Sequence, residues 1–165
     1  MKHTTALETA AAPNQPFAMD PAAKRTFVQQ LFSHIAPRYD WFNRLASLGL
    51  DQRWRRQALV LGGVAPGQRV LDVCAGTGDL ALLCARRLQR RGAVLGLDMN
   101  REMLLRARDK QYRRRLNVTW VLADAETLPL PDGAFDRVVI GFSTRNLSDL
   151  TAGLREMLRV LRPGG

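Results

Sequence analysis

Beyond residue 68, short apolar runs alternate with amphipathic stretches along the chain. The apolar runs predict strands at 70–74, 94–98, 118–122 and 135–141. The amphipathic stretches predict helices at 80–90, 101–111 and 150–161, the last of them capped by Ser148 or Asp149. Strands that alternate with helices form a parallel sheet with helices on both faces, so the pattern predicts an α/β fold.

The residues before the sheet follow a different pattern. Asp20 and Pro21 open an amphipathic helix that should end at Ile35. Segment 39–56 is dense in aromatic residues and arginines, and the linker at 62–68 leads into the first strand. We therefore expect three parts: a disordered tail at 1–19, a helical cap at 20–62 and a ligand-binding sheet domain at 63–165.

A glycine turn separates the first strand from the helix that follows it. The strand carries Asp72, the turn is Gly76-Thr77-Gly78, and Asp79 opens the helix. Glycine has no Cβ, so a ligand can lie against bare backbone at such a turn. The turn also fits a dinucleotide fingerprint with Ala81, but a carboxylate about 4 Å from a phosphate costs roughly 4 kcal/mol at an effective dielectric near 20. Asp79 therefore favours a ligand without phosphate.

Acidic residues follow successive predicted strands. They are Asp72, Asp79, Asp98 and Asp124. The carboxyl ends of parallel strands meet at one crevice, so these side chains should converge, although helix capping is the alternative for Asp79. S-adenosylmethionine fits such a crevice because it carries a sulfonium, an ammonium and a ribose diol but no phosphate. Asp98 would accept hydrogen bonds from the ribose, and Asp124 would lie near the adenine edge.

Composition adds limits to this interpretation. The chain has 165 residues, 46% of them hydrophobic, which suits about one soluble domain. No apolar run approaches the roughly 20 residues of a membrane span, and the N-terminus lacks the apolar core of a signal peptide. Cys74 and Cys84 show no metal-ligand spacing, so we expect reduced core cysteines, no metal and a cytoplasmic location.

The net charge of +10 points to an anionic partner or to a solvated basic face. Seven basic residues lie between Arg101 and Arg115. They could form a phosphate-binding patch for nucleic acid, an exposed helix face, or a surface attracted to an anionic membrane at about 1 kcal/mol per basic residue. Aromatic residues are not interleaved with them, so nucleic acid is not expected.

The motifs also resemble a known family, from about Phe32 to the last residue. They are YDWFNRLASLGLDQRW at 39–54, VLDVCAGTGDLAL at 70–82, LDMNREML at 97–104, ADAETLPLPDGAFD at 123–136, GFSTRNL at 141–147 and RVLRPGG at 159–165. The chain resembles the UbiE/MenG/Coq5 family of quinone-biosynthesis C-methyltransferases. The resemblance implies the Rossmann-like class I fold of S-adenosylmethionine-dependent methyltransferases, with 63–165 as the incomplete donor-binding domain.

The resemblance implies methyl transfer from S-adenosylmethionine to a ring carbon of a polyprenylated quinol, either demethylmenaquinol or a methoxy-polyprenyl-benzoquinol. Together with the turn and the strand ends, it gives these candidate donor-binding residues: Asp72, Gly76, Thr77, Gly78, Asp79, Asp98, Met99, Asp124, Ala125 and Gly141. Gly141 stands where some relatives have serine, so only a backbone contact is expected there. Cys74 stands at the first glycine of the general methyltransferase pattern.

Candidate catalytic residues lie outside the glycine turn. Arg145 and Asn146 could stabilise a phenolate or orient a water, with a surface salt bridge as the alternative for Arg145. Tyr39 and Asn43, one helical turn apart, could face the substrate, or serve as core packing and a cap. The cap aromatics Trp41, Phe42 and Trp54 are expected to pack within the helical cap rather than against a prenyl tail.

The end of the chain suggests a missing segment. The turn at 162–165 should deliver another strand, and without one the apolar run RVVIG at 137–141 would be an exposed sheet edge. We therefore expect a chain that is cut short. Three hypotheses stay open: a quinol C-methyltransferase with peripheral contact to the inner face of a membrane, a nucleic-acid methyltransferase or binder that uses helix 101–115, and an inactive fragment or interaction module. The head group and the oligomeric state stay undetermined.

Overall fold

The computed structural model describes residues 20–165, so the predicted tail at 1–19 lies outside the described residues. Three helices form the N-terminal cap: α1 (Pro21–Ile35), α2 (Tyr39–Ala46) and α3 (Leu50–Leu61). Asp20 caps α1, because its carboxylate accepts the N–H groups of Ala22 and Ala23 at 3.1 and 3.2 Å. The predicted start and end of this helix are confirmed.

Four parallel strands form the sheet, in the order β3-β2-β1-β4. They are β1 (Arg69–Val73), β2 (Ala93–Asp98), β3 (Thr119–Leu122) and β4 (Arg137–Ile140). The helices are α4 (Asp79–Arg87), α5 (Arg101–Arg114) and α6 (Leu150–Val160), the last preceded by a 3₁₀ turn at Thr144–Asn146 and capped by Asp149. Every predicted strand and helix is present, with ends that move by a few residues.

The shifted ends have local causes. Helix α4 stops three residues early because Gln89 and Arg90 take positive φ angles of 51° and 64°, which a helix cannot include. Helix α5 runs three residues further than predicted and ends where Arg115 enters the left-handed region.

Side chains of the central strands alternate between two cores, one on each face of the sheet. Val70 and Val94 pack with α3 and α4, whereas Leu71 and Leu97 pack on the face of α6. Because successive strand residues point to opposite faces, the apolar runs of β1 and β2 fill both cores. The prediction of a parallel sheet with helices on both faces is therefore confirmed.

Asp72 is part of this core. Its side chain lies on the α4 face of β1, the residue is 1% exposed, and its Oδ2 accepts the Ala81 N–H at 2.8 Å. The first N–H groups of a helix have no intrahelical partner, and Asp72 satisfies one of them in α4. Burial raises the pKa of Asp72 to about 7, against the opposing effects of the Ala81 N–H and of the Arg55 charge.

This burial predicts a pH-dependent stability effect of Asp72→Asn. In the unfolded state the Asp72 carboxyl has a pKa of about 3.9, so above that pH it loses its proton there while it keeps it in the folded state. The free energy of unfolding therefore falls by up to about 1.4 kcal/mol per pH unit until the pH passes the folded pKa. The asparagine oxygen can still accept the Ala81 N–H but does not titrate. The variant should therefore gain stability relative to the parent from about pH 4 to pH 7.

Urea unfolding from pH 4 to 8 measures this difference, with Asp109→Asn as the matched control, since Asp109 is exposed. A stability difference between Asp72→Asn and the parent that stays constant across that range would contradict the assigned burial.

Candidate functional site

A crevice opens at the carboxyl ends of the strands. It includes the switch between β1 and β4, where ligands bind in open α/β sheets. The loops after all four strands line it, and α1, Tyr39 and Arg55 cover it. The structure brings these predicted site residues to the crevice: Tyr39, Gly76, Thr77, Asp79, Asp98, Met99, Asp124, Ala125, Gly141 and Asn146.

The structure leaves four predicted site residues outside the lining. Asp72 lies beneath α4, as described above. Gly78 faces the interior, since an added Cβ would lie 2.5 Å from Trp120 and 2.8 Å from Ala107; it is glycine for packing and for its φ of 79°. Asn43 is half-buried away from the lining, and Arg145 is exposed. Neighbouring side chains in a 3₁₀ turn point about 120° apart, so Asn146 faces the crevice while Arg145 does not.

Asp98 holds the glycine turn against β2. Its Oδ2 accepts the Gly76 N–H at 2.7 Å, and its Oδ1 accepts the Asn100 N–H at 2.8 Å. A carboxylate has about four acceptor sites, so the Asp98 carboxylate can accept at least one further hydrogen bond. Burial raises the pKa of Asp98, although these two N–H groups and that of Met99 counteract it. A Cβ built on Gly76 would meet nothing within 4 Å, which leaves space beside this carboxylate.

Lys110 joins the cap to the glycine turn. Its Nζ lies 2.8 Å from Asp79, 2.8 Å from Asp40 of α2, and 3.0 Å from the hydroxyl of Thr77. Burial would raise the pKa of Asp79, but Lys110 together with Arg55 and Arg114 outweighs it, and the net shift is downward. Asp79 is therefore ionised but already paired. The repulsion between Asp79 and a phosphate is therefore weaker than predicted from the sequence, because Lys110 neutralises the charge of Asp79.

Helix α1 covers the β2 and β3 side of the crevice. Arg25 pairs with Glu126, lies 3.4 Å from Asp124, and donates to the Ser148 hydroxyl. The Asn100 side chain donates to α1 at 2.9 and 2.8 Å. These residues were not among those predicted to line the crevice. Asn100 alone had a local signal, as the residue directly before a predicted helix, where it also accepts the Met103 N–H.

Arg55 lies at the opposite, β4 side. Its guanidinium carbon is 5.0 Å from the centre of the Phe142 ring, and its Nε is 3.6 Å from the Asp51 carboxylate. The Nε is buried and has no hydrogen-bond partner among the described residues. The arginine-rich segment 52–56 gave no sign that this arginine would turn inward.

The aromatic residues of the cap are largely exposed. Trp41 and Phe42 are 67% and 61% exposed, so the prediction that they pack within the cap is wrong; α2 is short and turns Tyr39 and Asp40 to the body instead. Trp54 is 48% exposed and its ring centre lies 6.4 Å from that of Phe142.

The two cysteines differ in position. Cys84 is buried in the core as predicted, but Cys74 lines the crevice, and the two are not bonded. Burial raises the pKa of both thiols. Among residues 20–165 no group of three or more His, Cys, Asp or Glu side chains is arranged to hold a metal ion.

The basic residues at 101–115 are exposed except for Lys110. No helix in the described part of the chain is long and apolar enough to cross a bilayer.

Known proteins are similar to this chain in sequence. The chain is 51% identical to a demethylmenaquinone methyltransferase of Thermus thermophilus over 82% of its length. It is 47% identical to the ubiquinone/menaquinone biosynthesis C-methyltransferase UbiE of Geobacter sulfurreducens over 84% of its length. It spans 61% and 55% of the lengths of these two relatives.

A solved structure supports the fold. A SAM-dependent methyltransferase from Aquifex aeolicus matches with a TM-score of 0.64 and 25% identity, over 88% of this chain and 69% of that one. The predicted Rossmann-like class I methyltransferase fold is therefore confirmed. Residues 20–165 match the family described as the ubiE/COQ5 methyltransferase family. With this match, the crevice at the strand ends and the two relatives above, the chain belongs to the ubiE/COQ5 methyltransferase family.

Proposed function

We propose that this chain binds S-adenosylmethionine in the crevice and methylates a ring carbon of a polyprenylated quinol in menaquinone or ubiquinone biosynthesis. The observation that carries the proposal is the Asp98 carboxylate, buried at the end of β2 beside an open glycine turn and with acceptor capacity left. A ribose hydroxyl needs such an acceptor. Family membership and the names of the relatives support the same reaction.

The crevice residues suit the parts of the donor in the order of the strands. Asp124 and Ala125 after β3 would hold the adenine, Asp98 and Met99 after β2 the ribose, and Gly76 after β1 the methionine portion. When bound, S-adenosylmethionine supplies a methyl group and leaves as S-adenosylhomocysteine. Thr77 contributes through its backbone, because its hydroxyl is already held by Asp40 and Lys110. We propose that 63–165 holds the donor and that 20–62 covers it.

The acceptor would lie at the remaining strand end, after β4. Gly141 and Asn146 line the crevice there, and Tyr39 lines it from the cap. A ring carbon becomes a good nucleophile once a neighbouring phenol loses its proton. Asn146 can donate a hydrogen bond to the resulting oxygen, and the cap can hold the ring against the donor, since positioning supplies roughly 7 to 11 kcal/mol in such reactions. Arg145 faces solvent, so the proposal assigns the polar contact to Asn146.

Replacement of Asp98 tests the donor site. Asp98→Asn should weaken S-adenosylmethionine binding by about 10- to 100-fold, because hydrogen bonds to a charged group contribute roughly 1.5 to 3 kcal/mol each. Isothermal titration calorimetry measures the affinity, with the exposed Asp109→Asn as the control that should bind like the parent. The unfolding midpoint of each variant shows whether the turn is intact. Undiminished affinity in a folded Asp98→Asn protein would reject the donor site.

Methyl transfer itself is measured with demethylmenaquinol and isotopically labelled donor, followed by mass spectrometry of the quinone product. Label in the ring-methylated product is the expected result, and its absence while the donor binds would reject the quinol as substrate.

We further propose that the exposed apolar stripe formed by Trp41 and Leu45 of α2 and Leu48 of the turn after it rests on an anionic membrane surface. These side chains are 67%, 56% and 86% exposed. The exposed Arg38 and Arg44 flank them, so the surface is apolar and positively charged, as interfacial membrane segments are. A polyprenylated quinol is dissolved in the bilayer, and α2 also carries Tyr39 at the crevice. This surface would place the crevice mouth at the lipid.

Trp41→Ser/Leu48→Ser should reduce binding to phosphatidylglycerol vesicles by tenfold or more, since burial of one large apolar side chain contributes about 1.5 to 3 kcal/mol. Vesicle co-sedimentation measures this, and Tyr112→Ser on α5 is the matched control because Tyr112 is also 86% exposed. Equal binding of the double variant and the parent would contradict the membrane contact. Self-association of the parent that the double variant abolishes, without vesicle binding, would assign the stripe to a second copy of the chain.

A further inference from the structure

Arg55 is a buried cation whose hydrogen-bonding capacity is not used within the described protein. Its side chain is 11% exposed, and its Nε has no hydrogen-bond partner among the described residues. The nearest carboxylate, Asp51, lies 3.6 Å from that Nε, beyond hydrogen-bonding distance. A buried guanidinium N–H without a hydrogen-bond acceptor is costly, so a ligand that accepts it would gain free energy by binding there.

The position of Arg55 indicates which ligand that is. It lines the crevice next to the end of β4, where a Cβ added to Gly141 would lie 3.1 Å from Nη1. The strand order places β4 on the far side of β1 from β2 and β3. In the proposed function the donor occupies the ends of β3, β2 and β1 in turn. What remains beside Arg55 is the place of the acceptor ring.

We propose that Arg55 binds the ring oxygen of the acceptor as an oxyanion and so favours the ionised, nucleophilic form of the quinol. This inference rests on the proposed function for the identity of the acceptor, but not for the existence of an oxyanion site. The phenolic proton is released to solvent, and the guanidinium stabilises the negative charge that remains. Phe142 supports this placement, because the centre of its ring lies 5.0 Å from the guanidinium carbon of Arg55. This contact limits the movement of the guanidinium.

The electrostatic surroundings of Arg55 fit this role. Asp51 on its own helix, Asp72 from β1 and Asp79 from α4 are the acidic groups that interact with it, and Lys110 already balances Asp79. Asp72 is buried beneath α4 and Asp51 is 4% exposed, so neither can reach a ligand in the crevice. The other titratable side chains that line the crevice are Arg25, Tyr39, Cys74, Asp98, Asp124 and Glu126.

An ionisable aromatic probe tests the site without any turnover. With S-adenosylhomocysteine present, the full chain should bind 1-naphthol and lower its apparent pKa, read from the different absorption of naphthol and naphtholate. The shift should vanish in Arg55→Met and return in part in Arg55→Lys, which keeps the charge but loses the planar fork. Arg53→Met, an exposed arginine on the same helix, is the matched control and should behave like the parent.

Kinetics with demethylmenaquinol provide a second readout. Arg55→Met should lower kcat/KM by roughly 10²- to 10³-fold, as the loss of one oxyanion donor does in other enzymes. The acidic limb of its pH profile should also move to higher pH, because the acceptor then ionises without help. A merely structural role for Arg55 would lower the rate without moving that limb.

The possible outcomes are separable. An unchanged naphthol pKa in folded Arg55→Met and Arg55→Lys proteins would overturn the inference. Loss of S-adenosylmethionine affinity in both variants, with the naphthol shift intact, would assign Arg55 to the donor carboxylate and also overturn it. Absence of quinol methylation in the parent, with the naphthol shift present and dependent on Arg55, would reject the proposed substrate but support the oxyanion site.

Discussion

The shape of the crevice depends on the contacts that the ammonium of Lys110 makes with three elements around it. It reaches Asp79 at the start of α4, Asp40 in the cap and Thr77 in the glycine turn, all within 3.0 Å. The Lys110 and Asp79 side chains are 15% and 7% exposed, so removal of either would leave a poorly solvated charge without its partner. One cation from α5 thereby fixes the turn, the first crossover helix and the cap relative to one another.

The scaffold around this cation could be predicted from sequence because its determinants are local. Apolar runs of strand length, amphipathic helices and the caps at Asp20 and Asp149 are all set by residues close together in the chain. Alternation of strands and helices then leaves few possible topologies. The convergence of Asp98 and Asp124 at one crevice followed from the same rule, since both end parallel strands.

The charged contacts could not be predicted, because their partners lie far apart in sequence. Lys110 is 31 residues from Asp79 and 70 from Asp40, and Arg25 is 101 residues from Glu126. In the sequence, Lys110 and Arg25 cannot be told apart from the basic residues of a solvated helix face. Asp72 was misplaced for a related reason: its position at a strand end fits the crevice and the helix amide of Ala81 equally well, and only packing decides between them. The backbone of Cys74 could not be predicted either, since its φ of 54° lies in the left-handed region that glycine adopts most readily.

The way α1 is held has a kinetic consequence. Its ties to the sheet domain are few and mostly polar: Lys24 to a carbonyl, Arg25 to Glu126 and Asp124, and Asn100 to the helix. The other walls of the crevice are strand ends anchored in two cores. An element attached by such partly exposed contacts opens at lower free energy than the core does. Salt that screens the Arg25 ion pairs weakens this attachment, so the opening of this wall of the crevice depends on ionic strength.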